Sequence, residues 1–404
     1  MQAQIDHSIA ISSEVLGTAA ERDGARAVAD ALPGQPAALP ETASRWLEQR
    51  ATLEPNAIAL RFKQRGVWHA RRWRELTDEV HEVAAGLAHA GLVSGDGLAI
   101  VGDGSPRLLI AALAALELGV HVVVLDGSAD ELADKQEARE RRQRALLSAG
   151  ARALFVARKA DLDRVLDLGT LGLGERDALA WLRIVYDDDR GLVGRAGLTA
   201  YDELRTFGQL TLAQATSNAR ATAQSLAFVV TAANQLPPRS ISHEALLLAA
   251  QTASDLPASA ELVAFDALLG KAMRRTGLAL WLAGRARLNL PETRASRVRD
   301  AREIGPSLSV AEASTYAELL AHYAARLPAA GSWRRRWIDR ALRGAAQNAL
   351  VRALDQFFIV RPLRRVLGVS RLRHALIVGD GVDTGARELF ASLGIKLRAE
   401  VSSS

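Results

Sequence analysis

Leu98-Ala-Ile-Val101, Pro106-Arg-Leu-Leu-Ile-Ala-Ala-Leu-Ala-Ala-Leu-Glu-Leu118 and Val120-His-Val-Val-Val-Leu125, read in that order, decide the fold class. The first piece has the length and apolar character of a buried strand. Pro106 presets φ for the first turn of a helix running to about Leu118. Val120–Leu125 is apolar except for His121, as expected of a strand covered on both faces in a parallel sheet. Glu117, Gly119 and His121 interrupt this most apolar stretch of the chain, which suits helix plus strand better than a membrane span.

The pattern repeats outward. Leu76–Ala90 places Val80, Val83, Ala84 and Leu87 on one helical face, and Gly91 supplies the residue for a left-handed cap. Similar strands are expected at Ala153–Val156, Leu182–Tyr186, Leu226–Thr231, Leu262–Phe265 and Ala375–Val378, with a mixed-charge helix over Asp130–Leu147. The class is α/β, two packed subdomains of mostly parallel sheet covered by helices. Residues 1–40, with Pro33, Pro36 and Pro40, read as a loose lead-in; 41–230 and 231–404 read as the first and second α/β parts.

Composition narrows the function classes. The 404 residues are 49% hydrophobic and 24% charged, the balance of a soluble globular chain and not of a disordered one. Without cysteine there is no disulfide scaffold, thiolate metal site or cysteine nucleophile. The eight histidines never fall at metal-ligand spacing, no GxSxG elbow is present, and Asp187-Asp-Asp189 after a strand reads as a turn. The N-terminus, with Asp6 and Glu14, lacks the pattern of a secretory signal, so the expected location is cytoplasmic, with peripheral contact to membrane allowed.

Two features carry binding chemistry. Gly379-Asp-Gly-Val-Asp-Thr-Gly385 follows an apolar strand and precedes a helix, where Gly379 and Gly381 could let the backbone approach phosphates; Asp380 and Asp383 oppose an anion, so a plain βα turn is the competing reading. The net charge is +5, yet Trp333–His374 holds eleven arginines, including Arg334, Arg335, Arg336 and Arg340, against two aspartates. Trp333, Trp337, Leu342, Ala345, Leu350 and Leu354 loosely continue an apolar stripe there. Such a basic helix can lie on an anionic membrane surface, or pack its stripe on the domain; no nucleic-acid-binding module frames it.

Taken in order, Glu54-Pro-Asn-Ala-Ile-Ala-Leu60, Trp73-Arg-Glu-Leu76, Gly95-Asp-Gly-Leu-Ala-Ile100, Tyr186-Asp-Asp-Asp-Arg-Gly-Leu192, Gly284-Arg-Ala-Arg-Leu-Asn-Leu-Pro-Glu292 and Leu393-Gly-Ile-Lys-Leu397 resemble an AMP-forming long-chain fatty-acid CoA ligase of the adenylate-forming superfamily. The resemblance spans about Glu54 to Glu400. It implies ATP and magnesium as cofactors and a fatty acyl substrate. The family's phosphate loop, TSGTTGxPKG, falls on Thr231-Ala-Ala-Asn-Gln-Leu-Pro-Pro-Arg-Ser240, in which Thr231 and Pro238 persist, Arg239 stands for lysine, and Ser242-His243 matches the Ser-His that follows. Its LPLxH segment falls on Ala267-Leu-Leu-Gly-Lys271, which puts Lys271 where a histidine borders the acyl site. Its adenine-contacting GGAPL falls on Gly379–Asp383, and where YGxTE would begin the chain reads Val401-Ser-Ser-Ser404, so the lid domain is expected to be missing.

Loss of the loop glycines removes the left-handed angles and close approach that a phosphate nest uses. The expectation is a non-catalytic relative without cofactor, binding an acyl chain or lipid, or a protein partner or second copy. The alternatives are an active fatty-acid adenylating enzyme with unorthodox loops, and a basic peripheral membrane-surface binder.

Overall fold

The computed structural model describes residues 41–399 except 103, 127–134, 167–182, 195–196, 216–220, 233–234, 253–259, 265–268, 294, 326, 343–347 and 380–383. The lead-in read over 1–40, Gly381 and Val401–Ser404 lie outside the described residues.

Fourteen strands are described: β1 (Ile58–Gln64), β2 (Val67–Arg72), β3 (Gly97–Val101), β4 (His121–Asp126), β5 (Ala151–Val156), β6 (Arg183–Tyr186), β7 (Leu198–Ala200), β8 (Leu226–Ala232), β9 (Gln235–Ser242), β10 (Ala260–Val263), β11 (Ala286–Leu290), β12 (Leu308–Glu312), β13 (His374–Val378) and β14 (Lys396–Ala399). They form two seven-stranded sheets, ordered β7-β6-β5-β3-β4-β8-β9 and β14-β13-β12-β10-β11-β1-β2. In each, six strands run parallel and one edge strand, β9 or β2, returns antiparallel. The α/β class read from Leu98–Leu125 is the observed one: β3 pairs with β4 in parallel across helix Pro106–Glu117.

Position 230/231 falls inside the β8–β9 hairpin. The sheets divide the chain differently, since β1 and β2 leave the following strands and join β10–β14. Leu60↔Leu288 pairing with β11 buries both leucines completely, and full burial of such side chains contributes about 1.5–3 kcal/mol each. Trp281 adds a donor bond from Nε1 to the Ala59 carbonyl at 2.8 Å and stacks on Trp73 at 5.3 Å. One core gathers Val123, Leu154, Val156 and Ile184, the other Ala311, Ile377 and Phe390.

The apolar stripe expected on one basic helix is broken. Helix Trp333–Leu342 ends, residues 343–347 are outside the described set, and Asn348 caps a second helix, Ala349–Asp355, by accepting the Leu350 N–H at 3.1 Å.

Candidate functional site

The phosphate-loop residues fall on the edge hairpin. β8 lies beside β4 with Leu125↔Thr231 in register, and β9 returns against it with Val230↔Arg239 and Ala232↔Gln235. Only positions 233 and 234 therefore connect the strands. Pro237 and Pro238 lack an N–H, which an outermost strand tolerates and a central one does not. Thr231 is 1% exposed, and its Oγ1 is buried with no hydrogen-bond partner among the described residues. Arg239 is exposed on β9.

Ser242 is occupied otherwise: its Oγ accepts the Ala245 N–H at 3.3 Å and caps helix His243–Thr252. His243 is buried at the same helix start, and its Nδ1 accepts the Ala43 N–H at 3.2 Å. Burial pulls the pKa of His243 down to about 4, so the ring is neutral near pH 7 and serves as an acceptor. Thr231, Arg239 and Ser242 thus share one hairpin, with one hydroxyl sealed inside, one cation in water and one hydroxyl spent on a cap.

Lys271 and Gly379 meet on the other sheet. Gly379 follows β13 with φ +99, and a Cβ there would lie 3.3 Å from the Lys271 Nζ. Lys271 is exposed and opens a helical run that contains a π-helical turn, Met273–Gly277. Such turns recur at functional positions, and the C-terminal ends of strands are where open α/β sheets bind ligands. An ammonium there can hold a carboxylate or another anion. Gly381, placed beside Gly379 by sequence, lies outside the described residues.

A charged network that the sequence reading missed crosses the first sheet's C-terminal edge. Arg107 donates from Nη1 to Asp187 Oδ1 at 3.2 Å and from Nη2 to Asp202 at 2.7 and 3.0 Å, and stacks over Tyr201 at 4.7 Å. The Tyr201 hydroxyl donates to Glu79 at 3.1 Å. Burial raises the pKa of Asp187 despite the opposing Arg107 charge and the Ser105 hydrogen bond. Asp188 instead binds Arg190, which lowers its pKa, and the Leu192 N–H bonds the Asp189 carbonyl to close a turn, as read. The triple-aspartate run gave a signal for this position; Arg107 gave none, because a lone arginine in a first helical turn is ordinary.

The arginine patch is separate. Arg334 and Arg336 are exposed, Arg335 binds Asp339 at 2.9 Å, and Arg340 binds Asp355 at 3.0 Å. Among the described residues no helix is long and apolar enough to cross a membrane.

Comparison with known proteins places this geometry. Residues 47–235 match the family described as AMP-binding enzyme. No curated protein matches the sequence. Coronafacic acid ligase from Pectobacterium brasiliense superposes with a TM-score of 0.61 at 13% identity, covering 90% of this chain and 61% of the ligase. A Mycobacterium tuberculosis fatty acyl CoA synthetase gives 0.57 at 14% identity, with 88% and 58% covered. The fatty acyl-adenylate ligase from L. pneumophila, solved with acyl adenylate and pyrophosphate, gives 0.57 at 13% identity, with 88% and 54% covered. The chain therefore spans between half and two thirds of the length of these structures and has the fold of the N-terminal domain of adenylate-forming enzymes.

Proposed function

We propose that this chain is an acyl-CoA-synthetase-like member of the AMP-binding family that no longer carries out ATP chemistry and instead binds an acyl chain or lipid through its carboxylate. The β8–β9 hairpin carries the reading. A phosphate cradle needs several backbone N–H groups converging in a glycine-rich turn, and the pairing of Ala232 with Gln235 leaves a two-residue connection in its place. Of the loop's hydroxyls, Thr231 Oγ1 is sealed in the sheet, and Arg239 and Ser240 face water from an edge strand. These residues do not fit the triphosphate and magnesium that the family resemblance implies.

What supports a retained acyl site is the meeting of Lys271 and Gly379. The glycine leaves the space beside the ammonium free of a side chain, so a carboxylate can pair with Nζ at the strand end. Lys271 is exposed, so the ion pair contributes modestly, about 1 kcal/mol or less, and apolar burial of the acyl chain supplies the rest.

ATP/pyrophosphate exchange with a panel of medium- to long-chain fatty acids tests the first half. The expected result is no exchange above the Arg239→Ala control; exchange that Arg239→Ala abolishes would establish the alternative, an active fatty-acid adenylating enzyme. Displacement of a fluorescent fatty acid tests the second half. Binding should persist and weaken about threefold in Lys271→Met, and absence of binding in the intact chain would remove the acyl-site reading.

A further inference from the structure

We infer that helix Trp333–Leu342, helix Ala349–Asp355 and the helical run 356–366 form a docking surface for anionic lipid membrane, independent of whether the chain adenylates or merely binds acyl groups. The surface leaves large apolar side chains in water. Trp333 is 63% exposed, Trp337 39%, Leu350 69%, Phe357 57% and Phe358 59%. Its foundation is nevertheless built. Ala341, Ile359 and Val360 are buried, Leu342 packs on the second core, and Asp355, 4% exposed, accepts both Trp337 Nε1 at 3.1 Å and Arg340 Nη2 at 3.0 Å.

That buried aspartate ties helix Trp333–Leu342 to the end of helix Ala349–Asp355, directly before Phe357 and Phe358. The aromatic residues are therefore held in place by paired charges beneath them, and they are not a loose tail. Trp333 and Trp337 stack at 6.5 Å, and Phe357 meets Phe358 edge-on at 5.1 Å. Arg334 lies over Trp333 at 5.4 Å and Arg361 over Phe357 at 5.7 Å, which puts guanidinium groups alongside the exposed rings.

The charge identifies the occupant. The described helices hold eight arginines against Asp339 and Asp355; both aspartates are engaged by these arginines, and Arg364 turns inward onto the carbonyls of Val369, Leu372 and Leu393. A protein partner's apolar groove would want the rings without this excess of cation, and a polyanion would want the cation without the rings. Interfacial tryptophan and phenylalanine flanked by arginine suit a surface that offers an apolar interior beneath anionic headgroups. The aromatic rings would sit at the acyl boundary, with the arginines on the headgroups.

Cosedimentation of the full chain with vesicles tests this, using phosphatidylcholine alone and an equimolar mixture with phosphatidylglycerol. Binding is expected only to the mixed vesicles and should fall steeply with added salt. R334Q/R336Q should weaken partitioning by a factor on the order of thirty, and W333S/F357S by a factor of about ten or more, with unchanged circular dichroism and melting in both. Equal binding to both vesicle types, or no binding, would overturn the inference. So would duplex DNA binding lost in R334Q/R336Q yet untouched by W333S/F357S, which would make the patch a polyanion site. Concentration-dependent dimerisation that consumes the aromatic residues without vesicles would assign the surface to a second copy.

Discussion

Two β-hairpin–helix units stand at equivalent edges of the two sheets, and they differ in what holds them. β1–β2 ends at Arg72 and leads directly into helix Trp73–His89; β8–β9 ends at Ser242 and leads directly into helix His243–Thr252. The first turns through Arg65 and Gly66, both at positive φ, the pairing that two-residue hairpins favour. It is then pinned by charge: Lys63 Nζ donates to buried Asp300 at 2.9 Å and to Glu303 at 2.7 Å, and Trp68 Nε1 donates to Glu303 at 2.8 Å. The second hairpin has an exposed arginine and a buried hydroxyl with no partner among the described residues where the first has a charged network. Among the described residues, one edge is stabilised by charged side chains; the other is held by its strand ladder, its helix cap, the His243 contact to Ala43 and backbone bonds from His243 and Glu244 to Ser225 and Ala223.

The sharpest way to break that contrast is Lys63→Met. Removing the cation leaves the fully buried Asp300 side chain with only the exposed Arg299, at 3.7 Å, as a charged partner among the described residues, and should cost about 3 kcal/mol in urea unfolding. A loss below about 1 kcal/mol would mean that Arg299, Ser296 and the Glu292 N–H, which also face Asp300, satisfy it without Lys63.

The helices that follow the two hairpins differ in pH response next. His243 has a folded pKa of about 4, below its ordinary 6.5. As pH falls, the unfolded chain takes up the proton first, so stability present above pH 6.5 is lost between 6.5 and about 4, by as much as about 3 kcal/mol. His81, in the other unit, bonds Glu117 at 2.7 Å and has a raised pKa for that reason. Its contribution is full below pH 6.5 and is lost as pH rises through the folded pKa; being partly exposed, it is worth less than about 1 kcal/mol. Chemical denaturation from pH 4 to 8 should show a large acid-side loss that His243→Asn flattens and a small alkaline-side loss that His81→Gln removes.

Thr231→Val sharpens the comparison further. A buried hydroxyl with no partner among the described residues gains nothing from them, so an isosteric methyl should raise stability by about 1 kcal/mol. A decrease in melting temperature would instead show that the hydroxyl is bonded in solution. Smallest of all, Arg239→Ala should stay within about 0.5 kcal/mol, as expected of an exposed edge residue, and a larger loss would show that Arg239 anchors β9.

Much of this was legible beforehand. Strands over Leu98–Val101, Val120–Leu125 and Ala375–Val378 announced themselves as short β-branched runs, and β3, β4 and β13 occupy them within a residue or so. β9 did not, because Gln235-Leu-Pro-Pro-Arg-Ser240 has neither alternation nor strand propensity; it pairs because β8 offers a ladder. The motif remnants were read from their order in the chain, and the arginines as a patch of their own. The structure sets Thr231, Arg239 and Ser242 on one hairpin and Lys271 beside Gly379, and adds Arg107 with Asp187.

The sequence by itself determined the class, since local apolar runs of strand length alternating with helical periodicity have only layered α/β solutions. It also determined where the arginines concentrate. Tertiary structure alone decided that β1 and β2 leave their sequence neighbours for β11, that the Thr231 hydroxyl faces inward, that Lys271 reaches Gly379 and that Trp333 and Trp337 stay in water. The reason is physical. Local pattern reports how much of a segment must be buried, whereas its neighbour is chosen by the summed free energy of contacts between residues remote in the chain, and no local window contains that sum.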